Sequence, residues 1–196
     1  MTNNKPSSLR FLPQFLAHPG EVGAVSPSSQ RLARRMVEWI DWGEVAAVVE
    51  YGPGTGVFTE RILSEIKPGA HFFGIEINPS FFATVQQRFA DVRFYNDSVE
   101  NVESLCEQQG IEVVDAIVCG IPWVVFPGDV QTKWMEAMMR VLRPGGQFVT
   151  FAYLHGLALP AGHRFKKKLH ELFTSVECST TVWMNLPPAF VYRCRR

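Results

Sequence analysis

Long apolar runs are missing from this chain. No stretch of about 18 apolar residues occurs in its 196, so no transmembrane helix is expected. Paired cysteines are missing too. Cys106, Cys119, Cys178 and Cys194 stand without a CxxC pair, which argues against a zinc site or a disulfide frame. Cys178 and Cys194 can fall on neighbouring strands, but free thiols in a reducing cytoplasm are the expectation. Net charge is absent, because 19 Lys and Arg cancel 19 Asp and Glu. That removes the strongly basic balance that RNA binding favours. The opening MTNNKPSSLR has no long apolar core and no clear cleavage site, so it reads poorly as a signal peptide. Repeats, low-complexity segments and metal-ligand constellations are also lacking.

What is present suits one domain with a sizeable core, since 46% of the residues are hydrophobic. The charge is uneven. Residues 1–40 hold five Lys/Arg against two Asp/Glu, and 160–196 hold seven against two. The middle, 41–159, holds seven against fifteen. An acidic centre between basic ends is either a mark of the partner or a chance of surface composition.

Strand-like and helix-like segments alternate. Val45–Tyr51 reads as a buried strand, and Phe58, Ile62, Leu63 and Ile66 give the next segment a helical apolar face. HFFGIEI is a second strand. NPSFFATVQQRF is a second helix, with Asn78 as cap and Pro79 at its first position. DVRFYND and VVDAIVCG are further strands. DVQTKWMEAMMRVL is a helix stopped by RPGG, and QFVTFAY is a fifth strand. RFKKKLHELF is a helix with Phe165, Leu169, Leu172 and Phe173 on one side. The tail reads as two strands around a loop at Pro187-Pro188, an antiparallel pair. Strict alternation predicts an α/β fold with a parallel sheet covered on both faces. Ligands of such sheets bind beyond the carboxyl ends of the strands.

The densest signal lies there. VVEYGPGTGVFTERIL (Val48–Leu63) is a strand, a turn with glycines at 52, 54 and 56, and a helix. Glycine permits positive φ and lets a ligand lie against the backbone, while the helix start offers free N–H groups. The spacing is G-x-G-x-G, with Val57 where a dinucleotide fingerprint needs its third glycine, and no P-loop is present.

The stretch VVEYGPGTG instead resembles the first motif of class I S-adenosylmethionine-dependent methyltransferases. Two further strand ends agree. Glu76 stands at the end of strand two, where a carboxylate can accept both ribose hydroxyls. Asp97 stands at the end of strand three. In that family an acid there accepts from the adenine amino group, and the next N–H, of Ser98, serves a ring nitrogen. The plainer alternatives are a strand-end acid for Glu76 and a helix cap for Asp97. LRPGG before strand five is another habit of the superfamily. The resemblance spans roughly residues 20–196. It implies a Rossmann-like fold with a seven-stranded, mostly parallel sheet, helices on both faces and an antiparallel last strand. It implies S-adenosyl-L-methionine as cofactor, held by Glu50, Gly52, Gly54, Gly56, Glu76, Ile77, Asp97, Ser98 and Gly120, and no metal. Residues 1–40 are expected to form a helical lid or membrane-contact segment, and 41–196 the methyltransferase domain.

The acceptor is read from the end of strand four, CGIPWVVFP. Ribosomal RNA adenine dimethylases share the style of the glycine motif, but carry an Asn where Gly120 stands, and glycine offers no side-chain acceptor for an adenine amino group. GAVSPSSQRLARRM, GIPWVVFP and PPAFVYRCRR resemble bacterial phospholipid N-methyltransferases more closely. That family methylates phosphatidylethanolamine toward phosphatidylcholine. The resemblance implies a monomer at the inner face of the cell membrane. The surface contact is expected from Phe11 and Phe15 in SLRFLPQFLAHP and from Arg164, Lys166, Lys167 and Lys168. The first stretch can equally be a lid on the core, and the second a solvated helix face. Trp123, Phe126 and Tyr153 either help cage a methylated ammonium or pack in the core. Tyr153 and His155 are candidates to orient the amine or relay its proton, and Glu50 is a third candidate base. A soluble amine, RNA, or an idle binding module of the same fold remain the alternatives.

Overall fold

The computed structural model describes residues 28–196. Seven strands form one sheet: β1 (Ala47–Tyr51), β2 (His71–Ile75), β3 (Arg93–Tyr95), β4 (Val114–Cys119), β5 (Leu142–Tyr153), β6 (Ser175–Cys178) and β7 (Ala189–Arg195). Their order is β3-β2-β1-β4-β5-β7-β6. Strands β1 to β5 run parallel, and β7 lies antiparallel between β5 and β6. The mostly parallel sheet and antiparallel last strand therefore stand as expected. Every residue of β1 and β4 is buried, the pattern of strands covered on both faces. The order reverses between β1 and β4, which opens a crevice at their carboxyl ends.

Alternate residues of each strand feed two cores. Val49, Tyr51, Ile117, Cys119 and Phe148 face α4 (Val102–Gln108), α5 (Gly128–Val141) and α6 (Pro160–Leu172). Val48, Val118, Val149, Phe151 and Val191 face α1 (Gln30–Val37) and α2 (Val57–Glu65). Helix α3 (Pro79–Arg88) starts as the sequence predicts. Asn78 Oδ1 accepts from the N–H groups of Ser80 (2.8 Å) and Phe81 (3.3 Å), and Pro79 takes the first position, where no N–H is needed.

Four expectations change. The division at residue 40 is not where the packing divides. Ser29 caps α1 by accepting from Leu32 N–H, and Leu32, Ala33, Met36 and Val37 are buried in the second core. Gln147, itself buried, accepts from Asp41 N–H (2.9 Å) and donates to Trp39 O (3.1 Å), tying this stretch to β5. Residues 28–40 are thus part of the domain body. Phe11 and Phe15 lie outside the described residues. Helix α4 is additional: only Val102, Leu105 and Cys106 of its seven residues are buried, too brief a pattern to read from sequence. Strand β5 reaches back through RPGG to Leu142, with a shift of register against β4. Leu172 is exposed, while Phe165, Leu169 and Phe173 are buried. Cys178 and Cys194 do lie on neighbouring strands, but Cys178 pairs with Tyr192 and Cys194 with Val176, and both thiols are free.

Candidate active site

The glycine loop joins β1 to α2 at the crevice. Gly52, Gly54 and Gly56 have φ of 67°, 57° and 83°, in the left-handed region that side chains disfavour. They serve different ends. A Cβ on Gly56 would lie 2.5 Å from the Phe89 ring, so this glycine lets α2 pack on α3. A Cβ on Gly54 would meet nothing within 4 Å. Its bare backbone faces open space, as a ligand cradle requires.

Two carboxylates are buried around this loop. Glu76 follows β2 and accepts from Gly54 N–H (3.0 Å) through one oxygen and from Asn78 N–H (2.8 Å) through the other. It thereby joins the loop, the end of β2 and the start of α3. Burial raises its pKa, opposed by those backbone bonds. Glu50, in β1, is wholly buried and accepts from Thr59 Oγ1 in α2 (2.6 Å). Its other oxygen, Oε1, has no hydrogen-bond partner. Burial pushes its pKa up to about 8, helped by the nearby Glu76 charge. A buried carboxyl with an unused oxygen, beside a second one, keeps its proton unless a cation lies close to it. Glu50 is sealed beneath the loop, which removes it as a base for an acceptor arriving from solvent. Thr59 was not singled out from sequence. Its signal was only a hydroxyl one turn into the helix after the loop.

Asp97 is held at the end of β3. Its Oδ1 accepts from Ser98 N–H (2.7 Å) and Asn101 Nδ2 (2.8 Å), and Oδ2 carries no hydrogen bond among the described residues. The cap of the following turn is Ser98, whose hydroxyl accepts from Glu100 N–H, so the capping alternative for Asp97 falls away. The Ser98 N–H, expected to serve a ligand, donates here to Asp97 instead. Asn96, unforeseen, donates to Glu76 O (2.8 Å) and links the second and third strand ends. Ile77 is half-buried between Glu76 and Asn78.

Gly120 closes the crevice from β4. Its N–H donates to Tyr51 O (2.7 Å), and a Cβ there would lie 2.6 Å from Gly52 O. The next loop is pinned by buried Gln131, whose Nε2 donates to Trp123 O (2.8 Å) and Phe126 O (3.0 Å). Trp123 is not part of a cage. It is 2% exposed and stacks on Phe165 (5.4 Å between ring centroids), with Trp134 and Phe148 edge-on. Phe126 packs on the same side, against Trp134. Tyr153 joins the opposite core, so the three rings do not converge. What remains at the rim is a pair: exposed His155 lies parallel to half-buried Tyr153 at 5.6 Å. Tyr153 abuts Phe151, and Phe151 abuts Phe58 in the first turn of α2, which connects the pair to the glycine loop. Burial raises the Tyr153 pKa, so its hydroxyl stays neutral.

The bare turn, the Glu76 clamp and the unused oxygen of Glu50 fit a cationic nucleoside ligand held along three strand ends. Comparison with known proteins agrees. The Methyltransferase domain family matches residues 48–146. An ornithine lipid N-methyltransferase of Singulisphaera acidiphila is 30% identical over 188 residues, 94% of each chain. Among solved structures, an O-methyltransferase from Bacillus cereus in complex with SAH superposes with a TM-score of 0.69 at 12% identity, covering 100% of this chain and 94% of that one. An rRNA methylase from Streptococcus thermophilus gives 0.60 at 14%, covering 87% and 98%. Those two likenesses show the fold. With the family match, the full-length relative and the three strand ends together, the chain belongs to the class I S-adenosylmethionine-dependent methyltransferases, and its cofactor is S-adenosyl-L-methionine.

Proposed function

We propose that this methyltransferase acts on the amine of a membrane lipid headgroup, methylating phosphatidylethanolamine and its mono- and dimethyl forms toward phosphatidylcholine. The observation that carries the reading is likeness along 94% of both chains to an enzyme named for N-methylating a lipid. Local geometry supports it. An Asn at Gly120 would drive its Cβ into Gly52 O, so the side chain that holds adenine in RNA dimethylases has no room beside this loop. Among the described residues no helix is long and apolar enough to cross a membrane, so contact with lipid is proposed to be peripheral.

When bound, S-adenosylmethionine supplies a methyl group already activated on a sulfonium. The chain's own residues then have two tasks. Glu76 clamps the loop that receives the donor, and Glu50, buried beside it, becomes a counter-charge only when a bound cation draws off its proton. Tyr153 and His155 meet the acceptor: a neutral phenol and an imidazole can orient an amine and pass on the proton it must lose before its lone pair is free. The reading is tested with radiolabelled methyl donor and liposomes containing phosphatidylethanolamine or ornithine lipid, beside soluble ethanolamine and a ribosomal RNA hairpin. Label in phosphatidylethanolamine is expected. Label confined to ornithine lipid would move the substrate within the lipid class, and label only in ethanolamine or RNA would overturn it.

A further inference from the structure

The tip of the β6–β7 connection is apolar and exposed. Trp183, Met184 and Leu186 are 68%, 64% and 74% accessible. Leu157 and Leu159, which lead from β5 into α6, are 37% and 48% accessible. These are five of the eight exposed large hydrophobic residues among those described, so the exposure falls mostly on these two connections. The tip is also ordered. Buried Asn185 accepts from Ser29 N–H (3.0 Å) and donates to Pro187 O (2.7 Å), while Val182 bridges to Ala189. One residue of the turn is thus anchored, while those on either side project outward.

Its place in the fold is informative. Ala189 pairs with Tyr153, and Leu154 N–H donates to Pro188 O (2.8 Å), so the tip stands at the carboxyl end of β5. That is the edge of the sheet at which β1 gives way to the glycine loop. The two segments that meet at this edge carry charge of one sign. Residues 154–168 and 179–188 contain no Asp or Glu, while 154–168 contain His155, His163, Arg164, Lys166, Lys167 and Lys168. Arg164, Lys166 and Lys167 are exposed on α6.

We propose that the Trp183–Leu186 tip inserts into the headgroup region of an anionic lipid bilayer and sets the carboxyl edge of the sheet against it. An indole with neighbouring Met and Leu suits the boundary between headgroups and chains, and a β5–α6 connection and first turns of α6 that carry basic and no acidic residues suit anionic lipid. Docked in this way, the Tyr153–His155 rim meets headgroups rather than bulk solution. The inference rests on the lipid-amine reading for its purpose, but its test is separate.

Trp183→Phe is compared with wild type in vesicles carrying bromine-labelled acyl chains. Wild-type fluorescence should be quenched, and the Trp183-dependent part of that quenching should vanish in the variant. Without vesicles, iodide should quench Trp183 in the free protein. A Trp183 shielded from iodide would mean that another part of the chain covers the tip, and would overturn the proposal. The combined Trp183→Ser, Met184→Ser and Leu186→Ser variant should partition into anionic vesicles at least about tenfold more weakly. It should keep its activity on a short-chain, monomerically dissolved lipid amine and lose it on vesicles. Equal vesicle binding by wild type and variant would refute the insertion, even with lipid methylation intact. A wild-type dimer that the variant converts to monomer would reassign the patch to a second copy. Failure to methylate any lipid, with Trp183 still quenched by the bilayer, would defeat the substrate reading and leave the docking surface standing.

Discussion

At the scale of single residues, the loop glycines have separable roles. Gly54→Ala adds a Cβ into open space, so only the left-handed φ of 57° is strained, at about 1–2 kcal/mol. The fold should survive with a melting temperature a few degrees lower, while calorimetry should show markedly weaker S-adenosylmethionine binding. Gly56→Ala adds the collision with Phe89 and should destabilise by more, whatever the ligand does. Glu50 carries a pH signature. Its ordinary pKa of 4.5 rises to about 8 in the folded chain through burial. Between those values the folded state keeps a proton that the unfolded state has lost. Its contribution to stability is therefore whole below about pH 4.5 and is lost as pH rises through about 8, up to a few kcal/mol. Glu50→Gln should flatten that slope when melting temperature is followed from pH 5 to 8.5, and an unchanged slope would show that Glu50 does not hold the proton.

At the scale of elements, the crevice depends on how β1, β4 and β5 are held at the opposite, amino end. Buried Asp115 in β4 accepts from the N–H groups of Ala46 (2.8 Å) and Ala47 (2.9 Å) at the start of β1, and pairs with Arg143 at the start of β5. Asp115→Ala leaves these donors without their acceptor, at about 2–4 kcal/mol. Urea unfolding should show the loss. Cofactor affinity of the folded fraction should be unchanged, because the site is at the other end of the strands. Strands β1, β4 and β5 and most helices were legible in sequence because they are long or continuously apolar. Helix α4, at seven residues, was not, and α1 was taken as part of a separate segment, since an amphipathic pattern names an apolar face without naming what covers it.

At the scale of the whole molecule, the basic face of α6 divides. Lys168 is not available to a partner: its ammonium donates to Gly128 O (2.6 Å) and Thr132 Oγ1 (2.7 Å), fastening α6 to the start of α5. Lys167 makes only a loose exposed pair with Glu171 (3.7 Å), which is weak. Arg164, Lys166 and Lys167 changed together to Glu should therefore weaken binding to anionic vesicles at low salt, with little effect on stability. The defect should shrink toward 1 M salt, where the Debye length is about 3 Å. Co-sedimentation at two salt concentrations reads it, and a salt-independent defect would assign the loss to packing. Lys168→Ala should instead lower stability.

The sequence by itself determined the sheet, the glycine turn after β1 and the order of the strand ends that carry Glu76 and Asp97. Those features are local: glycine spacing, strand termini and helix starts lie within a few residues of one another, so the chain carries them in plain order. Tertiary structure alone decided what each side chain faces. It buried Trp123 among Phe165, Trp134 and Phe148, away from Tyr153, because adjoining strand and loop positions can pack on opposite faces of the sheet. It sealed Glu50 under Thr59, took Lys168 out of the basic face, and left Trp183 in solvent while burying Asn185 two positions on. Each of these outcomes depends on partners 9 to 156 residues away in the chain, or on the lack of one, and no local pattern encodes such distances.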